Sequence, residues 1–543
     1  MATALTPDLR LSTITQGDQF PGPITTLSDG SYVATWTTPF ADGSSGAVMA
    51  QHFSAAGSPL SPVIQINQTA FSGQGAPTIT QAGDGFAVFW SSQFQDDPRS
   101  SNGGIIGRVY SKNGVAITDE FIVNEDSLVR DFDDVLNNQF TPIAATMPDG
   151  TVVVTWTSDQ GDGSSDAVYQ RRYSADGTAL SEPEVVNTLR TSGNQQYSSV
   201  TAIVDGSGVY AGYVVSYGSG NDLFARHYDT AGAATGVEVE LTANTSTNNS
   251  GFRASVAGLE GGGYVAVWQT SFIQGGSGGD VVARLFNNDG TPASAEFRVN
   301  QIFSSTQDAP QVVATSNGGF AVVWDSSATL GDTSGAIVAR RFDANGTELG
   351  DEFLVNDVVS GTQDFPFITE LGNGTLVFTW RSNATGSNGD GDGTSVYQRI
   401  FAPDGQSLPS GSAPVLGAIS TARSISKDDA EAGILLDADG IVSVGDADNT
   451  DFEDGTLTVA LLARSDVEDG FSRQDGLGQH VFGISAGGGV TPSNADVLVG
   501  GVVVGEIVSD GTDGQPLIIE LNAAATPTRM EALVARLSYQ NIS

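Results

Sequence analysis

Tyr32-Val33-Ala34-Thr35-Trp36 (YVATW) and Phe320-Ala321-Val322-Val323-Trp324 (FAVVW) are two copies of one pattern, an apolar run closed by tryptophan. The 543-residue chain has six tryptophans, Trp36, Trp90, Trp156, Trp268, Trp324 and Trp380, and each closes such a run. A degenerate copy, YVVSY, ends at Tyr217 in the gap between Trp156 and Trp268. The seven positions are spaced by 54, 66, 61, 51, 56 and 56 residues, a period that belongs to repeat architectures.

Around each tryptophan the order of parts is the same. A short strand such as PITTL or PIAATM leads to a tight turn at Asp29-Gly30, Asp84-Gly85, Asp149-Gly150 or Asn373-Gly374. Such pairs tolerate the positive φ of hairpin turns. The tryptophan strand is followed by a loop rich in Gly, Ser and Asp, then by a third strand such as AVYQRRY or IVARRF. A second tight turn leads to a fourth strand, EFIVN, EFRVN or EFLVN. Four antiparallel strands in roughly 50–60 residues, repeated seven times, predict an all-β chain built on a seven-bladed β-propeller over residues 1–410. A single such sheet cannot bury both of its faces, so stacking in a ring is preferred to separate small domains.

The seventh copy ends in FAPDGQSLPSGSAP and lacks its EFxVN strand, whereas Leu9-Arg10-Leu11-Ser12 precedes the first copy as an unmatched strand. Residues 8–13 are therefore expected to complete the last blade and remove its open edge. The meander puts the tight turns on one face of the disc, and the long loops and blade connections on the other, where binding residues usually gather. Residues 411–415 read as a linker and 416–543 as a β-sandwich module, with one short helix capped by Thr526 and Pro527 and lined by Met530, Leu533, Val534 and Leu537. The chain stops at SYQNIS, inside a strand-like run, and is read as a piece of a larger protein.

Composition narrows the function. Asp plus Glu number 63 against 22 Lys plus Arg, a formal net charge of −41, which disfavours nucleic acid and anionic membranes and favours cations. With 39% hydrophobic residues the chain is a folded acidic protein rather than an acidic tail. It has no cysteine, which removes disulfides, thiolate metal sites and cysteine nucleophiles. The N-terminus lacks the pattern of a cleaved signal peptide, and no apolar run approaches membrane-spanning length.

On the repeats DG-x-(Y/F)-V-(A/V)-x-W and EF-x-VN, and on GDADNTDFEDGTLTV with the C-terminal IIELNAAATPTRMEALVARLSYQNIS, the chain resembles the large RTX-type (haemolysin-type calcium-binding) exoproteins and adhesins of Gram-negative bacteria, with a cadherin-like module. The resemblance implies a secreted or cell-surface protein exported by type I secretion, with calcium as cofactor; a glycan or a cell-surface or matrix protein is the partner expected on the loop-rich face. The family's arrays of GGxGxDxUx nonapeptides are missing. The solitary match over 275–283 is read as an ordinary Gly-rich loop.

Two clusters have the alternating oxygen ligands of a calcium loop. Asn388, Asp390 and Asp392 fit D/N-x-D-x-D-G without the closing Glu, with Asp159, Asp162 and Asp166 as a blade-three counterpart. Asp446, Asp448 and Asp451 crowd before a strand of the second module. Arg108, Arg171, Arg226, Arg284, Arg340 and Arg399 occupy one repeat column, with Gln51 in the first copy. A residue present in six of seven copies reads as structural, packing on the neighbouring Trp or pairing with a carboxylate. Asp29 and Asp149 stand seven residues before Trp, so the S-x-D-x-G-x-x-W box of sialidase propellers is absent. Of three histidines, His52 and His227 share a repeat column and His480 lies in the second module, so no catalytic triad is announced. The leading expectation is a non-enzymatic, monomeric binding or adhesion module with its ligand on the loop-rich face. The alternatives are a polysaccharide hydrolase or lyase using carboxylates at the channel mouth, and a structural spacer.

Overall fold

The computed structural model describes residues 4–12, 16–70, 73–93, 95, 103–124, 138–159, 165–242, 253–270, 279–303, 305–327, 335–383 and 393–403 of the first 404 residues. Beyond these it describes 415–417, 434–435, 443–445, 456–459, 479–484, 490–493, 496–499, 502–510, 517–521, 524–525, 529, 533 and 537–542. The chain divides into two compact units, Met1–Asp404 and Gly405–Ser543.

The first unit is a seven-bladed propeller of seven four-stranded antiparallel sheets. Blade 1 is typical: an inner strand Phe20–Thr26, the tryptophan strand Tyr32–Thr38, a third strand Ala47–Phe53 and a two-residue outer strand Ile64–Gln65. The tryptophan and third strands are the most buried because both of their faces meet a neighbouring blade, and Gly103–Tyr110 and Ala336–Phe342 are buried throughout. Tyr264–Thr270 and Phe320–Ser326 each expose a single half-buried residue. Seven hydrophobic clusters fill the ring, and each is shared by two adjacent blades. In one, Val33, Val48, Ala50 and Ile66 of blade 1 pack on Phe86, Val88, Trp90 and Ile106 of blade 2. The core thus lies between blades, not within them, which is why one blade cannot stand alone.

The EFxVN strand is short because its side chains do more than its backbone. The closing Asn accepts the backbone N–H of the third strand, at 2.9 Å for Asn67 from Val48 and 2.7 Å for Asn356 from Ile337. Its leading carboxylate reaches back to the preceding blade. Glu120 accepts the N–H of Thr69 at 3.2 Å, Glu238 that of Leu189 at 2.9 Å, and Glu352 that of Gln301 at 2.7 Å. The repeated arginine laces the same junction. Its Nε donates within the blade and its Nη1 donates to the carbonyl just before the preceding blade's Asn. Arg108 reaches Ile66 at 3.0 Å, Arg171 reaches Val123 at 2.9 Å, and Arg340 reaches Val299 at 3.0 Å. Arg284 and Arg399 do likewise to Leu241 at 3.1 Å and Val355 at 2.8 Å. The column is structural, and in three blades it pairs with carboxylates as expected, at 3.8 Å for Arg171 to Glu182, 3.6 Å for Arg340 to Glu348 and 3.7 Å for Arg399 to Asp357. Its shorter bonds go to backbone carbonyls outside the strand ladders, with the guanidinium over the aromatic ring two residues on, 5.2 Å for Arg108 over Tyr110. A fixed donor fork satisfies two buried carbonyls at once, which a point charge cannot do.

The N-terminal strand Leu9–Arg10 completes blade 7 with Leu9 opposite Gln398 and Arg10 opposite Tyr397. It supplies the leading carboxylate, the paired strand and the buried apolar residue of the missing motif, with Ser12 at the place of the closing Asn. Asp8 accepts the N–H groups of Asp357 and Val358 as the leading Glu does elsewhere. Leu11 is 3% exposed in the cluster between blades 7 and 1. Burial raises the Asp8 carboxyl above its ordinary pKa despite those N–H groups and Arg399.

The second unit contains a five-stranded antiparallel sheet, Thr456–Val459, Leu517–Leu521, Val502–Asp510, Asp496–Val499 and Val490–Ser493 in spatial order. A three-stranded and a two-stranded sheet accompany it. Val415, read from the sequence as linker, already pairs with Gly445. Arg529 and Leu533 are helical, but Leu537, expected on that helix, opens the strand Leu537–Ile542. The following SYQNI is strand-forming, and Gln479–Ile484 offers it a full ladder, so pairing overrides the helical spacing.

Deleting residues 1–12 exposes the edge of Ser395–Phe401 and empties the Leu11 site. Leu11→Ala alone is expected to cost about 2–5 kcal/mol. Thermal melts check both, and a deleted chain that melts with the intact one contradicts the closure.

Candidate functional site

A cavity of about 1110 Å³ occupies the middle of the propeller and is walled by the inner strands of all seven blades. Its wall is mostly Pro, Thr, Ser, Ala and Ile, with Gln74, Gln81 and Gln311 as its amides. Hydroxyls tie neighbouring inner strands together at the junctions of blades 2 and 3, 4 and 5, 5 and 6, and 7 and 1. The N–H of Ala144 donates to Thr78 at 3.2 Å, Val256 to Ser199 at 3.3 Å, and Val312 to Ser255 at 3.2 Å. At the tight-turn end Thr80 meets Thr146 at 2.7 Å and Thr26 meets Thr369 at 3.2 Å. These bonds brace the wall from blade to blade and engage part of its hydroxyls.

At the opposite end, where the blade connections enter, the inner strands bulge. Register shifts fall between Pro21 and Ile24, Gly75 and Thr78, Phe140 and Ile143, Gln196 and Ser199, Asp308 and Gln311, and Asp364 and Phe367. In five of them the bulged residue takes positive φ: Ala76 (49°), Thr141 (50°), Tyr197 (55°), Ala309 (48°) and Phe365 (53°). Pro21 holds that place in blade 1. In blade 5 the pairing of Ser255 with Val267 gives it to Arg253. Positive φ at a residue other than Gly costs on the order of 1–3 kcal/mol and persists only where the surroundings impose it. A buried glutamine stands two residues before each of the five, and in three blades it is tied to the tryptophan. Gln74, Gln139 and Gln307 accept the indole N–H of Trp90, Trp156 and Trp324 at 3.0, 2.8 and 2.8 Å. Bulges re-aim side chains, and six of these seven positions line the cavity: Pro21, Ala76, Thr141, Tyr197, Arg253 and Phe365.

The rim carries exposed aromatic surface. Phe20 and Phe365, 41% and 42% exposed, meet edge to face at 6.5 Å. The Arg381 guanidinium lies 4.6 Å from each ring and is gripped by both oxygens of Asp364, at 2.7 and 2.6 Å. Phe40 adds a third exposed ring, and Tyr197 lies under Arg253 at 4.4 Å.

No protein-family model matches the chain, and no curated protein matches it. Among solved structures it is similar to a protein of unknown function from Dyadobacter fermentans (TM-score 0.42, 11% identity, covering 73% of this chain and 98% of that one). It is also similar to the polysaccharide lyase Uly1 (0.43, 10%, 73% and 99%) and to the β-propeller domain of the Trilobed protease from Pyrococcus furiosus (0.40, 7%, 73% and 95%). Likenesses at this level leave the function to be argued from the site itself.

Beside the rim stands an acidic group. Asp325, on the tryptophan strand of blade 6, is opposite Asp308 in register, and Asp364 occupies the same position as Asp308 one blade on. Burial first, then repulsion from Asp308 and Asp364, pushes the Asp325 carboxyl up to about 7, against the N–H of Phe365 and the charge of Arg381. The Asp325 carboxyl therefore holds its proton well above the ordinary carboxyl range, beside two further acidic side chains.

Of the residues singled out in the sequence, Asn388, Asp390, Asp392, Asp446, Asp448 and Asp451 lie outside the described residues, as does Asp162. Asp166 is engaged by the amide of Gln196. Asp280, inside the nonapeptide-like match, begins the ordinary third strand Asp280–Phe286. Among the described residues no group of three or more His, Asp or Glu side chains is arranged to hold a metal ion. His52 bonds Ser31 at 2.7 Å, and burial pulls His227 down to about 4, so both are neutral core residues. The bulge ring itself went unread. Its signal is a Gln followed three residues later by Pro, as in QGAP, QFTP, QDAP and QDFP.

Because the folded Asp325 holds its proton above the ordinary value of 3.8, it favours the fold at low pH. That contribution is lost as pH rises towards about 7. Asp325→Asn is expected to raise the melting temperature relative to the parent at pH 8 and to lose that advantage by pH 4. An offset independent of pH contradicts the assignment.

Proposed function

We propose that the propeller binds a saccharide at the mouth of its central cavity, with the bulge ring as the reading surface. The observation that carries this is the pair of half-exposed rings, Phe20 and Phe365, braced by Arg381 at the rim of a hydroxyl- and amide-walled cavity of about 1110 Å³. Sugar rings present apolar C–H faces that pack on aromatic faces, and hydroxyls that exchange hydrogen bonds with Thr, Ser and Gln side chains. A wall braced from blade to blade loses little entropy on binding, so weak contacts add up to useful affinity. In an exoprotein of the kind the repeats resemble, such a site serves attachment to a glycan-coated surface.

The acidic group favours a second reading, cleavage of the bound polysaccharide. Asp325, its carboxyl raised by burial, would serve as the proton donor, with Asp308 or Asp364 as the neighbouring carboxyl partner. Calorimetric titration against glycan oligomers tests the first reading. Phe20→Ala with Phe365→Ala is expected to weaken binding about tenfold or more, the equivalent of ~1.4 kcal/mol. Unchanged affinity, or no binding by any saccharide, overturns it. Release of new chain ends by the parent, lost in Asp325→Asn with binding intact, establishes the second reading; a parent that releases none excludes it.

A further inference from the structure

The columns that build the ring repeat nearly the same residue from blade to blade, and their charges are committed. Each column arginine is spent on carbonyls of the blade before it. The bulge column is different. It changes identity at almost every blade, and in blade 5 it places Arg253 on the cavity wall. Arg253 is exposed and lies over Tyr197, its guanidinium carbon 4.4 Å from the ring centre, and no carboxylate among the described residues pairs with it. The other charged residue on the wall, Asp18, stands just before the inner strand of blade 1 and accepts the N–H of Thr394 at 3.0 Å, whereas Arg253 stands at the head of the inner strand of blade 5. Among the described residues Arg253 is thus the one cation on the wall, in a chain whose net charge is −41 and whose basic residues number 22.

Contact with the Tyr197 face holds the guanidinium at the cavity wall and leaves its N–H groups available. A planar fork held this way matches an oxyanion through two parallel N–H bonds, and less is lost on binding because the fork is already oriented. The dispersed carboxylates of the chain do not cancel this. At physiological ionic strength the screening length is about 8 Å, so distant charge acts weakly on a group held against Arg253. We infer that the saccharide read by the bulge ring is acidic, and that Arg253 on its Tyr197 plate receives the carboxylate or sulfate of one sugar unit. This rests on the saccharide-binding reading above and adds the ligand's charge and the residue that reads it.

The test is a glycan array at 0.15 M salt carrying neutral, uronic-acid and sulfated oligosaccharides, probed with the parent, Arg253→Gln and Arg253→Lys. Titration of the hits, each beside its methyl-esterified or desulfated form, follows. The parent is expected to bind acidic ligands at least tenfold more tightly than their neutralised forms. Arg253→Gln should erase that ratio while leaving the neutral forms bound as before. Arg253→Lys should recover part of it, since an ammonium supplies charge without the fork. Separate uronate and sulfate arms tell which oxyanion is read. Equal binding of acidic and neutral forms by the parent, or a ratio that survives Arg253→Gln, overturns the inference while saccharide binding stands. Silence across the whole array removes the saccharide reading itself and this inference with it.

Discussion

The guanidinium that leaves the third strand of one blade and ends on an outer-strand carbonyl of the blade before is the contact on which this ring depends. Outer strands here are mostly two residues long, so few of their backbone groups are paired by the sheet, and a buried carbonyl without a partner costs on the order of 1–3 kcal/mol. The column arginines remove that cost at six junctions, from Arg108 to Arg399. At the junction of blades 7 and 1 the column holds Gln51, which makes the within-blade half of the pattern, to the carbonyl of Ser61 at 2.9 Å. There the ring closes by other means. Leu11 enters the shared cluster, the Tyr32 hydroxyl donates to Gln398 at 2.8 Å, and Gln19 bonds the backbone of Thr394 at 2.9 Å.

Rigidity on the outside gives freedom on the inside. With Trp, Gln, Asn and Arg columns fixing each blade, the bulged position of the inner strand can change from Ala to Tyr to Arg to Phe without disturbing the frame. Its backbone is strained in the same way in five blades, so the side chain is aimed before any ligand arrives. Function is thus expected where the repeat is broken in identity yet kept in geometry. Tyr197, Arg253 and Phe365 meet that description.

The fold was legible because its signals are local and repeated: apolar alternation ending in Trp, Asp-Gly turns at fixed offsets, and an unmatched strand at Leu9–Leu11 facing an unmatched gap after Phe401. The arginine column was legible as structural, but not its carbonyl partners, because a repeat column shows a position and not what the next blade brings to it. The site was not legible. A bulge at Ala76 or Phe365 depends on positive φ at residues that seldom adopt it, and neither propensity nor alternation announces that. Asp325 was hidden for a related reason. Its proton is held by burial and by Asp308 and Asp364, one facing it across the sheet and the other one blade away. Leu537 shows local spacing losing to a strand partner more than fifty residues earlier.

Native-state amide hydrogen exchange on Arg340→Met measures the lacing most directly. The substitution keeps an apolar stem and removes the donors to the carbonyls of Gly350 and Val299. Exchange is expected to quicken at the junction of blades 5 and 6, in the amides of Phe297–Arg298 and Phe353–Leu354, while the junction held by Arg108 keeps its protection. Protection unchanged at Phe297–Arg298, or lost evenly around the ring, would contradict a ring laced blade to blade by arginine.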